Sequence, residues 1–311
     1  MSSINWFPGH MHKARKEIAE IMPQVDVIIE VLDARIPYSS ENPMIPALRG
    51  DKPCIKLLNK ADLADPVLTE QWIAELEKTQ SISALPVSQK HPEQIRQLLP
   101  LCHTLATGKG STLHEVRALI MGIPNVGKST LINTLAGRVI AKTGNEAGVT
   151  KSQQKIRLDG GVLLTDTPGF LWPRLSPPEC GYRLAATGAI KDTVFDYVDV
   201  ALFVAEYLLK AYPDALHTRY QLQALPETDL ELLEAIGRQR GSMRKGGGVE
   251  LQKVGALLVT ELRAGLLGPI TLETPEMTQA EEIHAKAADE AKAKAKEEEK
   301  LMRRQRARKN R

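Results

Sequence analysis

Aromatic residues are scarce in this 311-residue chain, with four Phe, three Trp and six Tyr making up 4% of it. That supply leaves no platform for stacked bases, which argues against an RRM-type nucleic-acid module. Cysteine is scarcer still. Cys54, Cys102 and Cys180 stand far apart and none belongs to a C-x-x-C pair. A disulfide framework or a cysteine zinc site is therefore not expected, and reduced cytosolic thiols are. Net charge is only +3, so the mean charge names no partner. Long apolar runs are missing. The best stretch, Val198 to Leu209, is broken by Asp199 and Glu206, and the opening residues hold no signal-peptide core. The expectation is a cytoplasmic, monomeric chain without membrane contact, long enough for two domains.

What the sequence does contain is Gly122-Ile123-Pro124-Asn125-Val126-Gly127-Lys128-Ser129, a match to the phosphate-loop pattern G-x-x-x-x-G-K-[ST]. A strand-like run, Val116 to Met121, precedes it. Thr130 to Leu135 follows with helical spacing and stops at Gly137. Strand, glycine loop and helix are the geometry the motif needs, because backbone N–H groups and the helix N-terminus cradle an anion. Asn125, Val126, Gly127, Lys128, Ser129 and Thr130 are the expected phosphate-side residues. Lys128 would reach the β- and γ-phosphates and act catalytically, and Ser129 would hold Mg²⁺.

Two apolar strands come earlier. Val25 to Leu32 ends in Asp33-Ala34-Arg35, placed either to face a ligand crevice or to form a local ion pair. Cys54 to Leu58 ends in Asn59-Lys60-Ala61-Asp62, an N-K-x-D sequence of the kind that reads guanine. The Asp62 carboxylate would accept from guanine N1–H and N2–H₂, an edge that adenine does not offer. The Lys60 stem would lie along the base, and Asn59 would bond its edge. A helix is expected near Pro66 to Lys78, then a strand over Ser83 to Val87. Ser88-Gln89-Lys90 follows where a second guanine-contacting loop belongs. Another helix is expected over Pro92 to Leu105, then a joint at Thr107 to Ser111.

After the phosphate loop, the polar stretch Lys142 to Thr150 suits a switch, with Thr150 as second Mg²⁺ hydroxyl and γ-phosphate sensor. A paired stretch from Ser152 to Leu158 turns back into a strand over Val162 to Thr165. That strand ends in Asp166-Thr167-Pro168-Gly169, where D-x-x-G supplies an aspartate near Mg²⁺ and a Gly169 N–H for the γ-phosphate. From Pro173 to Leu272 helices dominate, at about Glu179–Gly188, Val194–Tyr212, Thr228–Gly237 and Val249–Gly265. Between the last two lies a glycine-rich loop carrying Arg238, Arg240, Arg244 and Lys245. It reads either as a solvated linker or as a contact for phosphate backbone. The segment from Glu276 on is Ala/Glu/Lys-rich, helical or disordered, and its final residues are basic without an acid. Such a run is either a solvated end or an RNA-binding one.

The motifs come in the order guanine loop, serine loop, phosphate loop, threonine switch, D-x-x-G, a circular permutation of the usual GTPase order. The fold class is α/β: a phosphate-loop GTPase domain with permuted motif order over residues 1–175. A smaller all-α domain over 176–275 and a basic tail over 276–311 follow. Together with Phe7-Pro8-Gly9-His10-Met11, Asp33-Ala34-Arg35 and Leu184 to Ile190, these motifs resemble the YlqF/RbgA family of circularly permuted GTPases. The resemblance covers the chain to about residue 272. It implies a factor for late maturation of the large (50S) ribosomal subunit, with GTP and GDP as ligands and the helical domain on rRNA. It also points to His10 as the group that orients water, because Phe170 stands where Ras-like enzymes carry a glutamine. His10 as a turn residue or RNA contact stays open. Asn125 matches the asparagine with which potassium-activated GTPases bind K⁺, so K⁺ joins Mg²⁺ as an expected cofactor. A nucleotide-gated RNA-binding scaffold with negligible turnover is the competing reading. An ATPase or kinase is disfavoured by Asp62.

Overall fold

The computed structural model describes residues 4, 6, 16–106, 115–141 and 154–309, with side chains as far as Lys300. A six-stranded sheet organises the first part of the chain. Its strands are β1 (Val27–Asp33), β2 (Cys54–Asn59), β3 (Ile82–Val87), β4 (Val116–Gly122), β5 (Gln154–Leu158) and β6 (Val162–Asp166). In space they lie in the order β3-β2-β1-β4-β6-β5. Every neighbouring pair is parallel except β5 with β6. β1 and β2 are buried along their whole length, as the apolar strands of a sheet covered on both faces must be. β5 closes one edge. Its Gln154, Lys155 and Arg157 are exposed, and only Ile156 and Leu158 are buried.

Helices connect the parallel strands: α1 (Pro66–Leu76) between β2 and β3, α2 (Leu98–Ala106) after β3, and α3 (Lys128–Ala136) after β4. Asp65 caps α1 by accepting from the Val67 and Leu68 N–H groups, and Pro66 fills the first helical position. The single helix expected over Pro92–Leu105 is instead split into a five-residue helix, Pro92–Arg96, and α2. The break at Gln97 leaves Pro100 in the first turn of α2, where a missing N–H costs no intrahelical bond.

Beyond Asp166 the described residues form helices: α4 (Pro178–Thr187), α5 (Tyr197–Ala211), α6 (Pro213–Tyr220), α7 (Asp229–Gln239), α8 (Leu251–Arg263) and α9 (Pro275–Lys309). α6 was not expected, since Pro213 reads as a stop. Here it stops α5 and opens the next helix. Thr228 and Glu231 form a reciprocal capping box on α7. One apolar cluster runs from Ile28, Leu119 and Leu164 in the sheet, through Phe170, Leu171 and Trp172, into Leu184, Val204, Leu233 and Leu258. The helical region thus shares its core with the sheet.

After α8 the chain returns to the sheet as a strap. The Ile270 N–H donates to the Leu63 carbonyl at 2.9 Å and the Leu272 N–H to the Arg35 carbonyl at 2.8 Å. The buried Glu273 carboxylate accepts from the Ser39 N–H at 2.9 Å and lies 3.5 Å from the buried Arg183 guanidinium.

Candidate active site

β1 and β2 are in register with Asp33 opposite Asn59, so the two loops that follow leave the sheet at the same level. The buried Asp33 accepts from Arg35 Nε at 2.9 Å and Nη2 at 2.7 Å, and from Lys60 Nζ at 2.9 Å. Burial alone would raise its pKa, but the Arg35 and Lys60 charges hold it well below the usual carboxylate range. Asp33 and Arg35 are therefore an ion pair, and one that also grips Lys60 of the N-K-x-D loop. Lys60 sits in the left-handed region, φ 61°, and its Nζ also donates to the Asn125 carbonyl at 3.0 Å. Asn59 Nδ2 donates to the Val126 carbonyl at 2.7 Å. The N-K-x-D loop and the phosphate loop are thus bonded directly to each other. Asp62 accepts from Ser88 Oγ at 2.8 Å and pairs with Lys90 Nζ at 2.9 Å. Burial opposes its ionisation, yet the Lys90 and Ser88 bonds bring its pKa below the ordinary value.

The phosphate side is built at the ends of β4 and β6. Gly127 has φ 101°, and a Cβ there would stand 2.3 Å from Asn59 Nδ2, so only glycine permits this approach. Gly169 lies against the loop just as closely, since a Cβ on it would meet Pro124 Cα at 2.9 Å. Lys128 is buried at the start of α3, and its Nζ donates to the Gly122 and Ile123 carbonyls at 3.0 and 2.9 Å. Burial pulls its pKa down to about 8 against the attraction of Asp166. Burial likewise pushes Asp166 up to about 6, opposed by Lys128. Among the described residues Asp166 Oδ1 has no hydrogen-bond partner. An unsatisfied buried carboxylate oxygen at the D-x-x-G aspartate, with the Ser129 hydroxyl in the first turn of α3, is the hard oxygen set that suits Mg²⁺. The Phe170 ring is buried in the core.

His10 and Thr150 lie outside the described residues. Sequence reasoning missed the contact between the phosphate loop and the helical region. Asn125 Nδ2 donates to the Gly188 carbonyl at 2.9 Å, just past the end of α4. Arg35 Nη2 reaches the Thr187 carbonyl at 3.5 Å. From the other side Arg263 donates to the Ala185 and Ala186 carbonyls at 2.7 and 3.1 Å. The exposed last carbonyls of a helix attract cations and donors; the sequence showed the helix end but not what meets it. Lys90 was also missed as a partner of Asp62, although it sits within the serine loop. The basic loop is more ordered than expected. Arg238 pairs with Glu234 at 2.7 Å, Arg240 lies 5.5 Å over the Tyr220 ring, and a Met243–Val249 bridge closes the turn. Arg244 and Lys245 are exposed.

A parallel sheet that gathers a phosphate loop, a bonded N-K-x-D loop and D-x-x-G at its strand ends defines a phosphate-loop GTPase. Its N-K-x-D strand precedes its phosphate-loop strand, so the domain is circularly permuted. Two family models match the chain, one described as "50S ribosome-binding GTPase" over residues 117–237 and one as "RsgA GTPase" over residues 44–175. Ribosome biogenesis GTPase A of Bacillus cereus is 45% identical over 280 residues, spanning 88% of this chain and 94% of that one. The Bacillus pumilus protein of the same name is 43% identical over 281 residues, 88% of this chain and 99% of that one. The structure of GNP-bound YlqF from T. maritima superposes with a TM-score of 0.58 at 27% identity, covering 85% of this chain and 99% of that one. The chain belongs to the ribosome biogenesis GTPase A family, and it is a GTPase.

Proposed function

We propose that this GTPase acts in late maturation of the large ribosomal subunit in the cytoplasm, as a monomer whose guanine-nucleotide state governs the grip of its helical region on rRNA. The observation that carries the coupling is Asn125. Its backbone carbonyl holds Lys60 of the guanine-reading loop, while its side chain holds the end of α4 at Gly188. Whatever moves the phosphate loop then pulls on both the base side and the helical region.

In this reading Asp62, Asn59, Lys60 and Ser88 read guanine. Val126, Gly127, Lys128, Ser129 and Thr130 surround the phosphates, with Gly169 opposite. Lys128 exchanges its two backbone carbonyls for phosphate oxygens, whose charge favours its protonated form. Ser129, Thr150 and Asp166 would hold Mg²⁺, which would supply positive charge against that developing on the phosphates. Asn125 lends its side-chain oxygen to K⁺. Phe170 cannot bond water, so His10 orients it and turnover is slow until the particle places that histidine. The buried Phe170 also favours a second reading, a nucleotide-gated RNA scaffold with negligible turnover.

GTP turnover with and without purified large ribosomal particles separates the two. Stimulation by large particles, lost in His10→Ala with GTP affinity kept, supports the assembly-factor reading. Turnover equally slow with either ribosomal subunit and with none contradicts it.

A further inference from the structure

α9 follows the strap. It runs 35 residues, from Pro275 to Lys309. Its first turns are anchored. Thr278 is buried. Glu281 accepts two bonds from Arg183, at 2.8 and 2.5 Å. Asp289 accepts one from Arg174, at 2.5 Å. Arg174 lies on the segment that leads from D-x-x-G into α4, so the helix is bolted beside the switch. From Glu290 to Lys300 every residue is exposed.

This outer part has no apolar stripe of the kind that seats a helix on a core. Its helicity comes from composition instead. Ala, Glu and Lys are strong helix formers, and pairs such as Glu282–Lys286, at 2.7 Å, add to it. Helices of this composition act as semi-rigid spacers. At about 1.5 Å per residue, the stretch from Asp289 to Lys309 reaches roughly 30 Å from its last anchor.

Charge along it is segregated. Acids and lysines are interspersed as far as Lys300. From Leu301 on the sequence holds Arg303, Arg304, Arg306, Arg308, Lys309 and Arg311 and no acid. A spacer kept soluble by mixed charge does not need that. A helix that lies on a membrane surface would pair its cations with a face of large apolar residues, and here only Leu301 and Met302 are available. Arginine-rich runs without such a face fit phosphate backbone.

We propose that α9 is a rod carrying a cationic head that binds the phosphate backbone of RNA at a distance from the GTPase core. Only the identity of that RNA rests on the ribosomal reading above; the contact itself does not.

The test uses the full chain against a variant with Arg303, Arg304, Arg306 and Arg308 changed to Gln. The probe is a short generic RNA duplex, titrated at several KCl concentrations. Each neutralised phosphate on a duplex contributes about 0.9 to the slope of log affinity against log salt, so loss of four cations should shrink the slope by up to about 3.6 in the variant. GTP turnover without RNA should be unchanged. An unchanged slope overturns the proposal. So does a variant that loses binding to phosphatidylserine vesicles while its RNA binding stays intact.

Ala295→Pro breaks the rod and keeps every cation. It should match the wild type on the duplex yet be retained less on large ribosomal particles. Equal retention overturns the rod. If the wild type is itself not retained on particles, the ribosomal reading fails, and the duplex slope still judges the head.

Discussion

Two buried aspartates end neighbouring parts of one sheet and live in opposite circumstances. Asp33, at the end of β1, accepts from Arg35 and Lys60 and is held ionised. Asp166, at the end of β6, has an oxygen without a partner among the described residues, and burial pushes it up to about 6. The difference separates two kinds of buried charge. Asp33 is finished by the chain itself and fixes the shape of the base-reading side. Asp166 costs free energy where it stands, offset in part by the Lys128 charge, and a ligand that brings further positive charge would offset the rest. We propose that the base side is preassembled, bonded within the chain, and that the phosphate side, with its unpartnered carboxylate oxygen, is completed by what it binds.

The largest expected effect comes from breaking the finished side. Asp33→Asn leaves the buried Arg35 and the half-buried Lys60 without their shared counter-charge and should lower stability by about 3–5 kcal/mol, read from denaturant unfolding. Asp166→Asn, by contrast, should leave stability unchanged or raised while removing Mg²⁺-dependent turnover. Equal losses in the two variants would erase the distinction. Next comes Lys128→Ala, which removes the buried cation of the phosphate side. Single-turnover hydrolysis should fall at least about 100-fold.

Acid should act on the two aspartates with opposite sign. The native pKa of Asp166, about 6, stands above its ordinary 3.8, so the folded state holds the extra proton between those values. Its cost is full above about pH 6 and is relieved as pH falls toward 3.8, by about 3 kcal/mol at 1.36 kcal/mol per unit. Asp33 is shifted down, so its contribution is full above 3.8 and is lost as pH falls below that. Unfolding free energies between pH 7 and 4 should therefore show a relative gain in the wild type that Asp166→Asn lacks and Asp33→Asn keeps. The smallest effect is expected from exchanging Na⁺ for K⁺, a severalfold rise in turnover that Asn125→Ala abolishes. Equal rates in both salts would remove K⁺ from the account.

Much of this was legible in the sequence because each motif sits where a strand ends. Gly122–Ser129, Asn59–Asp62 and Asp166–Gly169 all follow apolar runs, and the structure gives each run a strand. Distances between motifs were not legible. No spacing announces that Asn59 Nδ2 would reach Val126, or that Asn125 would meet Gly188, because those contacts join segments that only the sheet order brings together. Asp33 and Arg35 left two readings open for the same reason: the deciding partner, Lys60, comes from another strand. Composition predicted that the segment beyond Glu276 would be either helix or disorder. Its anchors, Arg174 and Arg183, lie about a hundred residues earlier in the chain, where no local pattern marks them.

Amide hydrogen exchange tests the central claim most directly. Exchange over residues 57–63 and over residues 122–130 and 166–170 should be followed with and without a Mg²⁺-bound non-hydrolysable GTP analogue. The N-K-x-D segment should be well protected in both states, while the phosphate loop and D-x-x-G segment should gain most of their protection with the nucleotide. Equal gains on both sides would contradict a preassembled base side and a ligand-completed phosphate side.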